Sequence, residues 1–435
     1  MTGSPTATMG MERQSGRRRM GLCPVCRATG EHEVELTARA ASGAAFDYVR
    51  CASCRSLYVP DFTPPAYERA ADSIEAADLD IKFYVEQGAG LETLVTPAMI
   101  GRRRAGDRYL EIGCGFGFGL DFASRSMGWE VRGVDPGRLA KAGRQLLGLD
   151  IEHRYLSAED DFGGGFDTIA AIEVIEHFVD PADLLAIVRK ALAKGGLAYL
   201  TTPNAGCTEA GRPTVSLLSA LSPGNHAFLL SKAGLEAALA RAGIADYAIR
   251  EQDRSLDAVI GADARLIDPA ACFDDALYEA YLEARTREPS ASPFLQIGFA
   301  YRLFKFLVNH NRLDEARGAF ERIEQMVRRC YDLNLSDVWG LLRRLTFSGD
   351  RIRLFKTFPF CLTGIYFFAG IMTLNGSGDA TRAADFFFAA MRVAMVVRKA
   401  LLSAGIDDGE LDDLQQVARR HVVMLLGPDS RWTLA

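Results

Sequence analysis

What this chain lacks narrows it first. With 50 Lys and Arg against 56 Asp and Glu, its net charge is only −6, so no excess of one sign marks a nucleic-acid or membrane-surface partner. Long apolar runs are also absent. Phe358 to Leu374 is uncharged but just short of the ~18 apolar residues a spanning helix requires, and Pro359 with polar flanks predicts a buried helix. Met1 to Met20 is polar, with Arg17, Arg18 and Arg19 near its end and no apolar core, so a disordered tail is expected there and not a secretory signal. Five of the nine cysteines, Cys114, Cys207, Cys272, Cys330 and Cys361, share no spacing, which suits a reducing cytoplasm better than a disulfide framework. What remains, 49% hydrophobic and 24% charged over 435 residues, describes a globular protein of two or three domains.

A dinucleotide fingerprint is missing as well. Its G-x-G-x-x-G spacing, begun at Gly113 and Gly115, would need glycine where Phe118 stands. Present instead is Tyr109-Leu-Glu-Ile-Gly-Cys-Gly-Phe-Gly-Phe-Gly119, an apolar strand running into Glu111 and then glycine at every second position. Such glycines let the chain turn sharply and let a small ligand lie against bare backbone. A second short strand, Glu130 to Val134, ends in Asp135, about 20 residues beyond the glycines, where a carboxylate accepts the two hydroxyls of a ribose. NAD carries the same ribose, so only the glycine spacing separates the cofactors.

Farther on, Ala158-Glu159-Asp160 precedes a strand from Phe166 that ends in Glu173-Val-Ile-Glu176-His177, and Lys194-Gly-Gly196 turns into an apolar strand ending at Thr202-Pro203-Asn204. Ser231 caps a predicted helix to Ala242, and strands are expected near Ile244 to Arg250 and Leu256 to Ile260. Strands alternating with helices predict a parallel sheet covered on both faces, with ligands beyond its carboxyl ends, where Glu111, Asp135 and Glu173 fall. From residue 100 to 265 this order of segments resembles the class I S-adenosylmethionine-dependent methyltransferases. The resemblance implies a Rossmann-like α/β fold with a seven-stranded sheet and S-adenosylmethionine as cofactor. It places cofactor contacts at Glu111, Gly113, Cys114, Gly115, Gly117, Asp135, Glu159, Asp160 and Glu173, with Glu159 and Asp160 by the adenine and Glu173 below the transferred methyl. Glu159 and Asp160 read equally as a solvated polar run, and Glu173 and Glu176 as helix-capping acids. On the acceptor side lie His177 and His226, whose pKa range suits a catalytic base, with His226 the favoured of the two; each reads also as a packed, hydrogen-bonded histidine.

Ahead of this region stand Cys23-Pro-Val-Cys26 and Cys51-Ala-Ser-Cys54, about 24 residues apart, close to the spacing of a tetrathiolate zinc site. Four thiolates leave no open position for water, so such a zinc is structural. Iron, two disulfides or metal-free thiols are the alternatives. A four-cysteine ribbon before a methyltransferase domain resembles bacterial enzymes acting on sugars, surface-polysaccharide precursors and small metabolites, and the Glu-Val-Ile-Glu-His and Thr-Pro-Asn segments are similar to those of quinone O-methyltransferases. The resemblance implies a small-molecule or sugar acceptor and favours O-methylation. A cofactor-binding scaffold for biosynthetic partners, or an RNA methyltransferase using the ribbon, are the competing readings.

The domains expected are a tail at 1–20, a zinc ribbon at 21–60, a helical linker or lid at 61–100, the methyltransferase domain at 101–268 and an all-α domain at 269–435. In the last, Ala300 to Phe320 reads as helix, tight turn, helix, and Ser377 to Phe387 repeats the pattern. A tetratricopeptide-like repeat and an ordinary helical bundle both fit. Without a catalytic motif, this domain is expected to bind a protein partner, self-associate or cover the active site.

Overall fold

The computed structural model describes residues 10–14, 16–40, 42–67, 74–103, 106–208, 214–289, 292–346, 349–403 and 409–427. Two compact units divide the chain, Met1–Arg69 with Gly90–Asp274, and Ala70–Ala89 with Asp275–Ala435.

The first unit holds two sheets. Strands β1 (Gly10–Arg13), β2 (Arg18–Leu22), β3 (Thr29–Arg39), β4 (Ala45–Arg50) and β5 (Leu57–Tyr58) form the ribbon. In β3, His32, Val34, Leu36 and Ala38 are buried at alternate positions, as a strand with one covered face requires. The expectation of a disordered tail at 1–20 fails over the described part: β1 and β2 pair antiparallel with the two halves of β3. The eleven residues of β3 offer an edge long enough for both, and the basic run that read as tail is paired instead, Arg17 with Asp47 at 2.7 Å and Arg18 with Glu31 at 3.1 Å. Residues 1–9 of that expected tail lie outside the described residues.

The second sheet contains β6 (Arg108–Ile112), β7 (Glu130–Val134), β8 (Ile151–Glu152), β9 (Phe166–Ile172), β10 (Leu192–Pro203), β12 (Tyr247–Glu251) and β13 (Ser255–Ile260), in the order β12-β13-β10-β9-β6-β7-β8. Seven strands and the α/β class agree with the sequence. A wholly parallel sheet does not, because β13 runs antiparallel to both β12 and β10; the short turn between β12 and β13 permits only a hairpin. Strand β11 (Phe228–Leu229) belongs to the ribbon sheet, where it pairs with β5. The two sheets therefore share one core, in which Cys23, Val25 and Val34 pack in the same cluster as Leu184, Phe228 and Leu235.

The second unit is helical. Its long helices form hairpins, Pro293–Asn309 with Leu313–Tyr331 and Leu362–Ser377 with Ala380–Leu402. Asn311 and Gly378 take positive φ in the two turns. Glycine packs where the sequence suggested small residues allow close approach: a Cβ on Gly364 would lie 2.0 Å from the Tyr301 hydroxyl. The expected linker at 61–100 is not one element. Its helix Ile74–Phe83 and the π turn Tyr84–Gly88 belong to the helical unit, whereas Leu91–Gly101 belongs to the first unit. Buried charge explains the first assignment. Glu86 is wholly buried, accepts from the Tyr331 hydroxyl at 3.0 Å and the Phe360 N–H at 2.6 Å, and faces Lys82 at 3.9 Å. Burial pushes its pKa up, and each polar partner offsets part of that desolvation. Among the described residues, no single helix is long and apolar enough to cross a membrane.

Candidate functional site

After β6 the chain passes through Gly113, Gly115 and Gly117 at φ +67°, +52° and +86°, then enters the helix Phe118–Met127. The alternating glycines are thus three left-handed positions, a conformation costly for residues with a Cβ. Two also allow close contacts: a Cβ on Gly113 would lie 2.5 Å from Val174 Cγ2, and one on Gly117 2.8 Å from Ile151 Cδ1. Asp135, at the end of β7, holds this loop. Its Oδ2 accepts the Gly115 N–H at 2.8 Å and its Oδ1 the Gly137 N–H at 2.6 Å. Burial raises its pKa, opposed by those two N–H groups. Each oxygen keeps a second lone pair for a ligand.

Gly113 and Asp135 line a cavity of about 360 Å³ with Ile112, Val134, Pro136, Gly137, Arg154, Tyr155, Leu156, Glu173, Val174, His177, Phe178, Val179, Pro64 and Tyr67. That volume lies in the range of small-molecule sites. Other expected cofactor residues stand outside this lining. Gly115 and Gly117 shape the loop behind it. Cys114 is buried against Gly133, where an added Cβ would sit 2.9 Å from its sulfur. Glu111 is 1% exposed and supports the loop from beneath; burial drives its pKa to about 8 against a backbone hydrogen bond from Leu120. Its Oε2 would lie 2.7 Å from a Cβ on Gly119, which explains the last glycine of the run.

Glu159 and Asp160 lie elsewhere. Neither lines the cavity: Glu159 is exposed, and Asp160 is engaged by Arg154 at 2.9 Å and by the Ser157 N–H at 2.6 Å. The Arg154 guanidinium holds its carboxyl below the usual range. Arg154, Tyr155 and Leu156 occupy that wall instead. They follow β8, a strand of two residues, too short for periodicity to reveal.

Across the cavity, Glu173 takes φ +53° just after β9 and accepts the Thr201 hydroxyl at 2.8 Å. The residue is exposed by surface area but densely surrounded by protein, and that desolvation, with the Asp257 charge adding, raises its pKa to about 7. Glu176 is fully buried; Oε2 accepts the Thr202 hydroxyl at 3.0 Å, and Oε1 has no hydrogen-bond partner. The Nδ1 of His177 lies 2.6 Å from the Tyr67 hydroxyl and 3.1 Å from the Asn225 carbonyl. His226 stacks edge-on to His177 with ring centres 4.8 Å apart, and its Nδ1 is 2.8 Å from the Ala220 carbonyl. Burial lowers both histidine pKa values, that of His226 to about 3. His177 lines the cavity, whereas His226 is 8% exposed and does not. Sequence reading missed Tyr67 altogether, since nothing local connects it to His177.

The four ribbon cysteines converge. Cys23 and Cys54 sulfurs lie 3.8 Å apart, those of Cys26 and Cys51 3.6 Å, and all four fall within 4.8 Å of one another. A tetrahedral ion with bonds near 2.3 Å spaces its sulfurs by about 3.8 Å, so the set fits zinc. Two matching turns prepare it. In each, the residue after the second cysteine, Arg27 or Arg55, takes positive φ and donates its N–H to the carbonyl of the first. These turns hold a helix that follows β11: Ser231, the cap of the helix Lys232–Arg241, donates to the Cys54 carbonyl, and Arg241 donates to the Val25 carbonyl at 2.8 Å.

Part of the chain is similar to known proteins. Residues 88–248 match a family model described as a methyltransferase domain. The ubiquinone biosynthesis O-methyltransferase of Pseudomonas aeruginosa strain LESB58 is 33% identical over 107 residues, which cover 23% of this chain and 46% of that protein. The same enzyme of Ruegeria sp. strain TM1040 is 36% identical over 106 residues, covering 23% and 42%. The chain spans less than half the length of these relatives. An O-methyltransferase family protein from Burkholderia thailandensis overlaps 43% of this chain and 59% of its own at 17% identity, with a TM-score of 0.35. Over residues 88–248, then, the chain is similar to methyltransferase domains.

Proposed function

We propose that this protein transfers a methyl group from S-adenosylmethionine to a small-molecule acceptor, most favourably to an oxygen of a surface-polysaccharide or secondary-metabolite precursor. One observation carries the reading: Asp135, pinned by the Gly115 and Gly137 N–H groups, borders the cavity beside the left-handed glycines. A ribose diol can use its remaining lone pairs while the cofactor backbone lies on Gly113. The sulfonium makes its own methyl electrophilic, so the protein has chiefly to bring the acceptor in line and remove its proton. His177 is the base in this reading, and neutral, buried His226 supports it through ring contact. Zinc in the four thiolates would be structural, fixing the turns that hold the helix Lys232–Arg241. Calorimetry with S-adenosylmethionine tests the proposal: absence of binding refutes it, and binding without transfer to any candidate acceptor favours the scaffold instead.

A second reading of the acceptor side rests on Glu176, His177 and His226, each offering one ligand atom within 4.8 Å of the others. His226 Nε2 lies 3.9 Å from the partnerless Glu176 Oε1, too far for a hydrogen bond and near the separation of two ligands on one ion. A divalent cation held there would lower the pKa of an acceptor hydroxyl. Metal analysis separates the two sites: His226→Ala should lose one equivalent and keep the thiolate-bound metal, and an unchanged total refutes the cation.

A further inference from the structure

We propose that Tyr67 is a positioning residue, which sets the proton of His177 on Nδ1 and so leaves Nε2 as the ring nitrogen with a free lone pair. The inference deepens the proposed function and rests on it only for the activity readout. Three groups meet at one point. The Tyr67 hydroxyl lies 2.6 Å from His177 Nδ1 and 3.2 Å from the Asn225 carbonyl, and that carbonyl lies 3.1 Å from the same Nδ1. A carbonyl can only accept, whereas a hydroxyl does both.

One arrangement pairs all three groups with one another. Nδ1–H donates to the tyrosine oxygen or the carbonyl, and the tyrosine O–H donates to the carbonyl. In the alternative, tyrosine donates to a bare Nδ1 and the Asn225 carbonyl receives no proton from either neighbour. A lone pair on Nε2 is what a base, or a cation ligand, has to present.

The placement of Tyr67 also has a structural cause. Strand β5 pairs with β11 and the Val59 N–H donates to the Ala227 carbonyl at 2.8 Å, which directs the chain leaving the ribbon toward Asn225 and His177. Tyr67 is tied to a second residue of the lining, since its N–H donates to the Tyr155 hydroxyl at 3.2 Å. Its ring stands edge-on to His177 with centres 5.4 Å apart, which restricts rotation of the imidazole. Pro64, also in the cavity lining, stiffens the approach.

The test is nitrogen NMR of histidine-labelled full-length protein, with His177 assigned through His177→Gln, in the wild type and in Tyr67→Phe. The wild type should carry its His177 proton on Nδ1, and Tyr67→Phe should give a mixture of tautomers. In parallel, kcat should fall about 10-fold, the value of one neutral hydrogen bond, with S-adenosylmethionine affinity unchanged. A wild-type His177 protonated on Nε2 overturns the proposal without any variant. So does a Tyr67→Phe protein with the wild-type tautomer and wild-type kcat. Because the tautomer needs no turnover, failure of the methyltransferase reading, seen as absent cofactor binding, is distinguishable from failure of this one.

Discussion

On one side of the cavity, Gly113, Asp135 and Gly137 are set by two adjacent strands, β6 and β7, and the turns that leave them. On the other, Tyr67, His177 and His226 come from a segment beyond the ribbon, a turn after β9 and the loop before β11. The first side is local and made largely of backbone; the second is assembled from side chains over long sequence separations. Substitutions on the two sides should therefore fail differently. On the proposed function, the first side should lose cofactor binding, and the second should lose turnover while binding persists.

The largest separation is expected from His177→Ala. Removing a general base should lower kcat by about 10²- to 10⁴-fold while calorimetry gives an S-adenosylmethionine affinity within about twofold of wild type. Near-wild-type turnover would move the proton elsewhere. Next is Glu111→Gln, which probes the support beneath the glycine loop. The ordinary carboxyl pKa of 4.5 is raised to about 8 in the folded protein, so between those values the folded state keeps a proton the unfolded state has lost. Wild-type stability should then fall as pH rises through that window, by a few kcal/mol at most, roughly 1.4 kcal/mol per unit of retained shift. The glutamine variant should lack this slope in denaturant titrations, and an identical slope would remove Glu111 as its source.

Comparing Gly113→Ala with Gly128→Ala sharpens the loop argument. Both glycines have positive φ, +67° and +70°, but an added Cβ meets Val174 at the first and nothing within 4 Å at the second. Both should lose about 1 kcal/mol from backbone strain. Gly113→Ala should lose about 1–3 kcal/mol more through overpacking, with weaker cofactor binding. Equal losses would mean that Val174 yields freely. Smallest is Ser231→Ala, expected to cost about 1 kcal/mol as a lost helix cap. A measurably lower affinity for zinc in the same variant would trace the link from Ser231 to the Cys54 carbonyl.

Legibility in the sequence follows the same division. The glycine spacing, Asp135 and the four cysteines were readable because each depends on a few neighbouring residues and a fixed backbone geometry. So was the cap at Ser231. Antiparallel β13, the strands at residues 10–22 and the assignment of Ile74–Phe83 to the helical unit were not, since each is settled by a tertiary partner. Glu159 and Asp160 stand outside the cavity lining, and sequence proximity to a strand end does not reveal that Arg154 engages the Asp160 carboxylate. Tyr67 was invisible for a related reason: its hydrogen bond to His177 crosses 110 positions.

The central claim is that Asp135 and the glycine loop hold S-adenosylmethionine, and calorimetric titration of wild type and Asp135→Ala tests it most directly. The account predicts one bound cofactor per wild-type chain and an affinity at least about 100-fold weaker in the variant, since two charge-assisted hydrogen bonds are lost together. Equal affinity in both proteins, or no binding to the wild type, would contradict it.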